Sequence, residues 1–228
     1  MIFIDSNGGS FLKKSLFSGC IFITLLVTLW LLFAEYVTSN TWLKEYQLYG
    51  DPLRRILLAA CLIIYVIRLQ VTVWMFQKRK WTWSETIIIT ILMPIVIYAF
   101  ASAGGSNKLA VGAVEIIGVL LYLSGSYINT HSEYDRHAWK SKEENKGRLY
   151  TEGLFSLAMH INYLGDIVLF TGLAMITHRL SMFVIPLVMA LNFVFFIIPS
   201  LDRYLEKKYT DEFKDYAKKT KKLIPMIY

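Results

Sequence analysis

The chain has 228 residues, of which 55% are hydrophobic, and its mean hydropathy is +0.45. This is too apolar for a soluble domain of this size and indicates a polytopic membrane protein. The formal net charge is +7, and the two cysteines, both inside apolar runs, do not suggest a disulfide framework.

Six apolar stretches are long enough to cross a membrane, which takes roughly 20 residues of helix. They cover residues 16–36, 53–76, 84–103, 109–129, 156–177 and 180–200. The first is longer than the apolar core of a signal peptide, so we expect a retained span. The chain is therefore predicted to be an all-α, polytopic transmembrane helix bundle of six to seven spans, forming one domain over residues 1–228.

The basic residues are unevenly distributed between the predicted loops. With the N-terminus in the cytoplasm, 18 of the 24 Lys and Arg residues fall on the cytoplasmic side and five on the opposite side. By the positive-inside rule, both termini are predicted to be cytoplasmic. The membrane would be the endoplasmic reticulum in a eukaryote or the inner membrane in a bacterium. If one of the six segments were re-entrant, the number of spans would be odd and the two termini would lie on opposite sides of the membrane.

The tail, residues 201–222, has apolar residues every three or four positions with lysines between them. The apolar residues are Leu201, Leu205, Tyr209, Phe213 and Tyr216. This pattern predicts a C-terminal amphipathic cytoplasmic helix with a basic face. Periodicity alone favours a helix lying on anionic headgroups. The alternative is a lid over a cytoplasmic cofactor site.

Arg68 lies inside the second predicted span, and Tyr65 is on the same helix face. Ionisable groups within spans are costly and usually face a cavity or a partner. Glu115 in the fourth span is a candidate partner, and a functional cavity is the alternative.

A second polar group follows the fourth span. If that helix continues, Asn129, Glu133, Arg136 and Lys140 form one stripe. Such a run is usually a solvated face. The alternative is that the amide, the carboxylate and the cations hold a ribose, an adenine and phosphates. Arg148 adds another cation.

The segment GLFSLAMHINYLGDIVLF carries three polar residues in an apolar context. Asn162 and Asp166 share a helix face, whereas His160 points about 160° away. No metal site is expected, because the chain has four histidines and no Cys/His spacing pattern. No Gly-rich phosphate loop is present either.

Several segments resemble those of a known family. GLFSLAMHINYLGD resembles the GLF…RHPNYxGD/E signature shared by steroid 5α-reductases, their bacterial relatives of the DUF1295 type and, more distantly, sterol C14-reductases. INTHSEYDRHAWK, YVIRLQVTVWMFQKRK and the tail LDRYLEKKYTDEFKDYAKKTKKLIPMIY are similar to other segments of steroid 5α-reductases and their relatives. The resemblance covers about residues 60–80 and 125–228.

This resemblance implies an NADPH-dependent reductase of a C=C bond conjugated to a ketone in a steroid or other lipid. The cofactor-binding half would be about residues 125–228. The cofactor ligands it implies are Arg79, Asn129, Glu133, Lys140, Arg148, Asn162, Asp166 and Tyr209. Tyr65 would be the catalytic tyrosine, supported by Arg68, with a catalytic glutamate at Glu35 or Glu45.

The chain departs from the family pattern at four positions, two of them among these ligands. Glu133 stands in place of Asp, and Lys140 stands in place of Arg, which removes bidentate phosphate contact. Met159 and Ile161 replace the Arg and Pro of the signature.

Two other functions remain open at this point. One is an S-adenosylmethionine-dependent methyltransferase of the isoprenylcysteine carboxyl type, whose tail has an acidic pair where this chain has a single Asp202. The other is a non-catalytic lipid-binding protein on the same fold. For a reductase, the expected partners are a lipid or steroid substrate and membrane lipids, without nucleic acid or an obligate protein partner.

Overall fold

The structure is a computed structural model that describes residues 10–33 and 48–228. These ranges contain seven α-helices and, instead of a β-strand, one isolated parallel bridge between Ala158 and Lys221. The helices are α1 (Phe11–Phe33), α2 (Pro52–Val71), α3 (Trp83–Gly105), α4 (Ala113–Lys140), α5 (Ile161–Thr177), α6 (Val184–Asn192) and α7 (Ile198–Lys219). The predicted all-α class is confirmed.

Among the described residues, five helical runs are long and apolar enough to cross a membrane. They are Phe11–Phe33, Pro52–Phe76, Trp83–Gly105, Ala113–Lys140 and Leu180–Lys219. The chain is therefore an integral membrane protein. The predicted span over residues 156–177 is shorter, because a 3₁₀ turn occupies Gly153–Ser156 and the α-helix begins at Ile161.

Helix α2 begins at Pro52, so residues that were assigned to the preceding loop when the charges were counted belong to the helix. Asp51 caps it by accepting a hydrogen bond from the Arg54 backbone N, and Pro52 occupies the first turn. Arg54 and Arg55 are two of the five basic residues assigned above to the side opposite the cytoplasm, and both are buried within this helix. They are not loop charges available to the positive-inside rule.

The tail helix is not a separate surface helix. Helical structure runs from Leu180 to Lys219, passing through a π-helical turn at Phe193–Ile197 and a kink at Thr210, where φ is 43°. The apolar face of the tail packs against the protein itself, so this face is not free to contact a lipid surface. The aromatic residues buried there are Tyr209, Phe213 and Tyr216.

Backbone contacts divide the chain into two compact units. The described part of the N-terminal unit consists of residues 10–33 and 48–122 together with Phe170–Ile185. The C-terminal unit consists of Leu123–Leu169 and Pro186–Tyr228. Within the N-terminal unit, α1, α2 and α3 pack on one another.

Glu115 is not the partner of Arg68. Its carboxylate pairs with Arg54 Nη2 at 2.9 Å and with His178 Nδ1 at 2.6 Å, and both Arg54 and Glu115 are almost completely buried. Arg68 lies fourteen residues after Arg54 on α2, about 21 Å along the helix axis. Glu115 therefore neutralises the charge at the other end of the helix.

Candidate functional site

Two helices of the C-terminal unit bring together three predicted cofactor ligands. Asn129 Nδ2 donates a hydrogen bond to the Asn162 carbonyl at 3.0 Å, and Asn162 Nδ2 donates to Glu133 Oε1 at 2.8 Å. Asn129 and Glu133 lie one turn apart on α4 and are 9% and 7% exposed. We call these three residues the polar trio.

Two glycines allow α4 and α5 to approach closely at this point. A Cβ atom at Gly165 would lie 2.6 Å from the backbone N of Asn129, and one at Gly125 would lie 2.5 Å from the Gly165 carbonyl. Small residues permit such contact between helix backbones in membrane proteins. The Asn129 side chain therefore reaches the first turn of α5, where Asn162 lies.

One arginine contacts the polar trio, and a second lies in the loop that follows α4. Arg136 pairs with Glu133, and its guanidinium lies over the Phe155 ring at 5.3 Å. The Arg148 guanidinium lies over the Trp139 ring at 5.9 Å. Stacking on aromatic rings orients a guanidinium while leaving its edge able to donate hydrogen bonds.

Lys140 contacts Tyr209, the residue expected to close over the cofactor. Lys140 Nζ donates to the Tyr209 hydroxyl at 2.7 Å and lies 5.1 Å from the centre of its ring. Tyr209 belongs to a buried cluster formed with Phe213 and Tyr216 of α7 and with Met159, which precedes α5. The end of the α4 stripe and the tail helix are thus held together within this unit.

His160 lies at the centre of a contact that sequence reasoning missed. Its Nε2 bonds Asp202 Oδ1 at 2.8 Å, and Lys222 Nζ pairs with Asp202 Oδ2 at 2.9 Å. The hydrogen bond with Asp202 raises the pKa of Lys222. The backbone N of Met159 and of His160 donate to the carbonyls of Lys221 and Lys222. We call this arrangement the tail clasp; it joins α7, the last residues and the start of α5.

The predicted catalytic residues on α2 belong to the N-terminal unit. Tyr65 is 7% exposed; its hydroxyl donates to Met93 Sδ at 3.4 Å, and its ring packs edge-on against Phe170 at 5.4 Å. Arg68 is half-buried on the following turn of the same helix.

The remaining predicted site residues are Arg79, Asp166 and the candidate catalytic glutamates. Arg79 forms a two-point ion pair with Glu85, with Nη1 to Oε2 at 2.8 Å. Asp166 is half-buried on α5, one turn after Asn162. Glu35 and Glu45, the two candidates for the catalytic glutamate, lie outside the described residues.

The fold and this arrangement define a class: an all-α integral membrane protein with buried amide and carboxylate groups flanked by cations. A family model described as "Protein of unknown function (DUF1295)" matches residues 10–220. The chain belongs to this family.

Curated relatives agree with the resemblance to steroid 5α-reductases. The chain is 33% identical to rat 3-oxo-5-alpha-steroid 4-dehydrogenase 2 over 114 residues, which is 49% of this chain and 42% of that protein. It is 27% identical to rat 3-oxo-5-alpha-steroid 4-dehydrogenase 1 over 188 residues, 78% and 69% of the two chains. The chain thus spans less than half the length of the type 2 relative that it matches.

A relative with another name is also similar over part of the chain. The probable O-methyltransferase ustE of Ustilaginoidea virens is 31% identical over 111 residues, covering 48% of this chain and 39% of that protein. Family membership alone therefore does not distinguish reduction from methyl transfer.

Proposed function

We propose that the protein is an NADPH-dependent reductase of a C=C bond conjugated to a ketone in a steroid or other lipid. The observation that carries this proposal is the polar trio, in which Asn129, Glu133 and Asn162 are linked by hydrogen bonds. The names of the relatives agree with it, since several are 3-oxo-5-alpha-steroid 4-dehydrogenases.

The donor set of the C-terminal unit fits a dinucleotide phosphate. Buried amide and carboxylate groups suit ribose hydroxyls and an adenine, and cations suit phosphates. Arg136, Lys140 and Arg148 supply three cations along or just beyond the α4 stripe. Lys140 offers a point charge rather than the two-pronged contact of an arginine. Asp166 and Tyr209 complete the proposed cofactor ligands of this unit. Arg79, which the family resemblance also implies as a ligand, belongs to the N-terminal unit.

NADPH would supply a hydride to the β-carbon of the enone, and negative charge would then develop on the ketone oxygen. Tyr65 would donate a hydrogen bond to this oxygen and so stabilise the enolate. Arg68 would support Tyr65, and Glu35 is proposed to assist as the catalytic carboxylate. The α-carbon would be protonated by solvent or an adjacent acid.

The test is NADPH oxidation by the purified protein with 3-oxo-Δ4 steroids and other enone lipids. Tyr65→Phe should lower kcat by about 10²–10³-fold, the usual cost of losing one oxyanion donor. NADPH affinity should not change, because Tyr65 is not among the proposed cofactor ligands. Unchanged turnover would remove Tyr65 from this role, and absence of both oxidation and NADPH binding would refute the proposal.

Methyl transfer from S-adenosylmethionine is the second candidate, favoured by the similarity to a probable O-methyltransferase. Against it, Asp202, the single acidic residue where those methyltransferases have an acidic pair, is already engaged by His160 and Lys222. A thermal-shift comparison in detergent discriminates the two. NADPH should raise Tm for a reductase, and S-adenosylmethionine should raise it for a methyltransferase.

We propose that the protein is inserted in the membrane with both termini in the cytoplasm. The cations of residues 130–150 and of the tail are the main support. Cysteine labelling with a membrane-impermeant reagent at an added C-terminal cysteine, after removal of Cys20 and Cys61, would test this orientation.

A further inference from the structure

The loop between α2 and α3 is fastened to the first turn of α1. Lys14 Nζ donates to the Gln77 carbonyl at 2.5 Å, and Lys13 Nζ donates to the Trp81 carbonyl at 2.7 Å. The Trp81 backbone N donates to Ser10 Oγ at 2.8 Å. Two ammonium groups are therefore fixed at the two ends of a loop that itself carries three more cations.

We call these five cations the basic collar. They are Lys13, Lys14, Lys78, Arg79 and Lys80. Glu85, the carboxylate found beside them in the described chain, is already paired with Arg79. The Arg79 guanidinium also lies within electrostatic reach of Lys14. Within residues 10–33 and 48–228, the collar thus concentrates positive charge with little compensation from carboxylates.

The excess of positive charge is most unfavourable at Lys14, because this residue is buried. Its side chain is only 9% exposed, and within the described residues both it and Lys13 hydrogen bond to carbonyl oxygens rather than to carboxylates. A buried ammonium is unfavourable unless an opposite charge compensates it. An ammonium has three donors, and one hydrogen bond at each lysine leaves donors for an external anion.

Aromatic rings lie beside the basic collar, which is the arrangement typical of residues at the level of lipid headgroups. Lys13 lies over the Trp83 ring at 5.2 Å, Lys14 lies over Trp74 at 6.0 Å, and Phe11 packs edge-on against Trp74. Trp74 and Trp83 remain 43% and 51% exposed. Exposed apolar side chains continue from them along the spanning helices, among them Met75, Ile87 and Ile88. Tryptophan is enriched at the membrane interface.

We propose that the basic collar is a binding site for the phosphate-bearing headgroup of an anionic phospholipid. The phosphate would accept hydrogen bonds from Lys13 and Lys14, while the acyl chains follow the exposed apolar faces of α1 and α3. A lipid fits better than a soluble phosphate compound, because the cations are flanked by exposed tryptophans at the ends of three apolar helices. The inference is independent of the proposed reductase activity.

The test uses tryptophan quenching by brominated lipids in nanodiscs that contain the full chain. At a low fraction of brominated lipid, brominated phosphatidylglycerol should quench more strongly than brominated phosphatidylcholine. Lys13→Gln/Lys14→Gln should reduce this selectivity by about 30-fold, which is about fivefold for each charge near an anionic surface. Added inorganic phosphate should not abolish it.

A second pair of substitutions guards against misfolding of that variant. Lys78→Gln/Lys80→Gln alters two exposed residues of the loop, and it should lower the selectivity without changing Tm. Lys218→Gln/Lys219→Gln removes the same charge from exposed residues of α7 and should retain wild-type selectivity. Equal quenching by the two lipids in the wild type would overturn the proposal. So would unchanged selectivity in both collar variants, or displacement by inorganic phosphate.

Discussion

Glu115→Ala should destabilise the protein by about 3–5 kcal/mol, the usual effect of removing one partner from a buried ion pair. The carboxylate is 1% exposed, forms an ion pair with Arg54 Nη2 at 2.9 Å and accepts a hydrogen bond from the Gly112 backbone N at 2.7 Å. Arg54 would retain its charge in a fully buried position. Its remaining guanidinium contacts are carbonyl oxygens, and its Nε atom has no acceptor.

The assay is thermal unfolding of the purified protein in detergent, followed by tryptophan fluorescence. The predicted loss corresponds to a decrease in Tm of roughly 6–20 °C for a chain of this length. Glu143→Ala is the matched control, because Glu143 pairs with Lys146 in a largely exposed setting. Exposed pairs contribute about 0–1 kcal/mol. If the two variants lost the same stability, the burial argument would be refuted.

Three further substitutions test the C-terminal unit by the same unfolding assay. Gly165→Ala should lower the free energy of unfolding by about 1–3 kcal/mol, because the added Cβ atom would clash with backbone atoms of α4. Gly19→Ala is the control: it has open space around it and should be neutral or stabilising by up to about 1 kcal/mol. Equal effects of the two substitutions would contradict the close approach of α4 and α5. His160→Ala should lower the free energy of unfolding by about 1.5–3 kcal/mol, because the hydrogen bond to Asp202 is lost. It should also speed digestion of the tail by carboxypeptidase, and unchanged digestion would argue against the tail clasp. Tyr216→Phe should cost about 1 kcal/mol by leaving a buried carbonyl without its donor, and no loss would count against that bond.

The sequence predicted the helical class and the approximate spans, because apolar runs of this length have few other stable conformations. It also predicted that α4 could carry Asn129, Glu133 and Lys140 on one stripe if it continued, and the helix does extend to Lys140. The pairing of that stripe with Asn162 came from family resemblance. Local periodicity cannot identify which helix packs beside which.

Other features depend on contacts between residues distant in sequence. His160 and Asp202 are 42 positions apart, and nothing in the local pattern of either indicates the other. Gly125 and Gly165 carried the one available signal, a small residue on each of two neighbouring helices. Arg54 was mistaken for a loop charge, because its buried partner Glu115 lies two helices later.

The central claim, that the C-terminal unit holds NADPH through the polar trio, is tested most directly by an equilibrium titration of NADPH fluorescence. The wild-type protein should bind saturably, and Glu133→Gln, which keeps the side-chain size but removes its charge, should raise Kd by about 10–150-fold. Lys218→Gln, an exposed change on α7, should leave Kd unaltered. Absence of saturable binding, or equal affinity in wild type and Glu133→Gln, would contradict the claim.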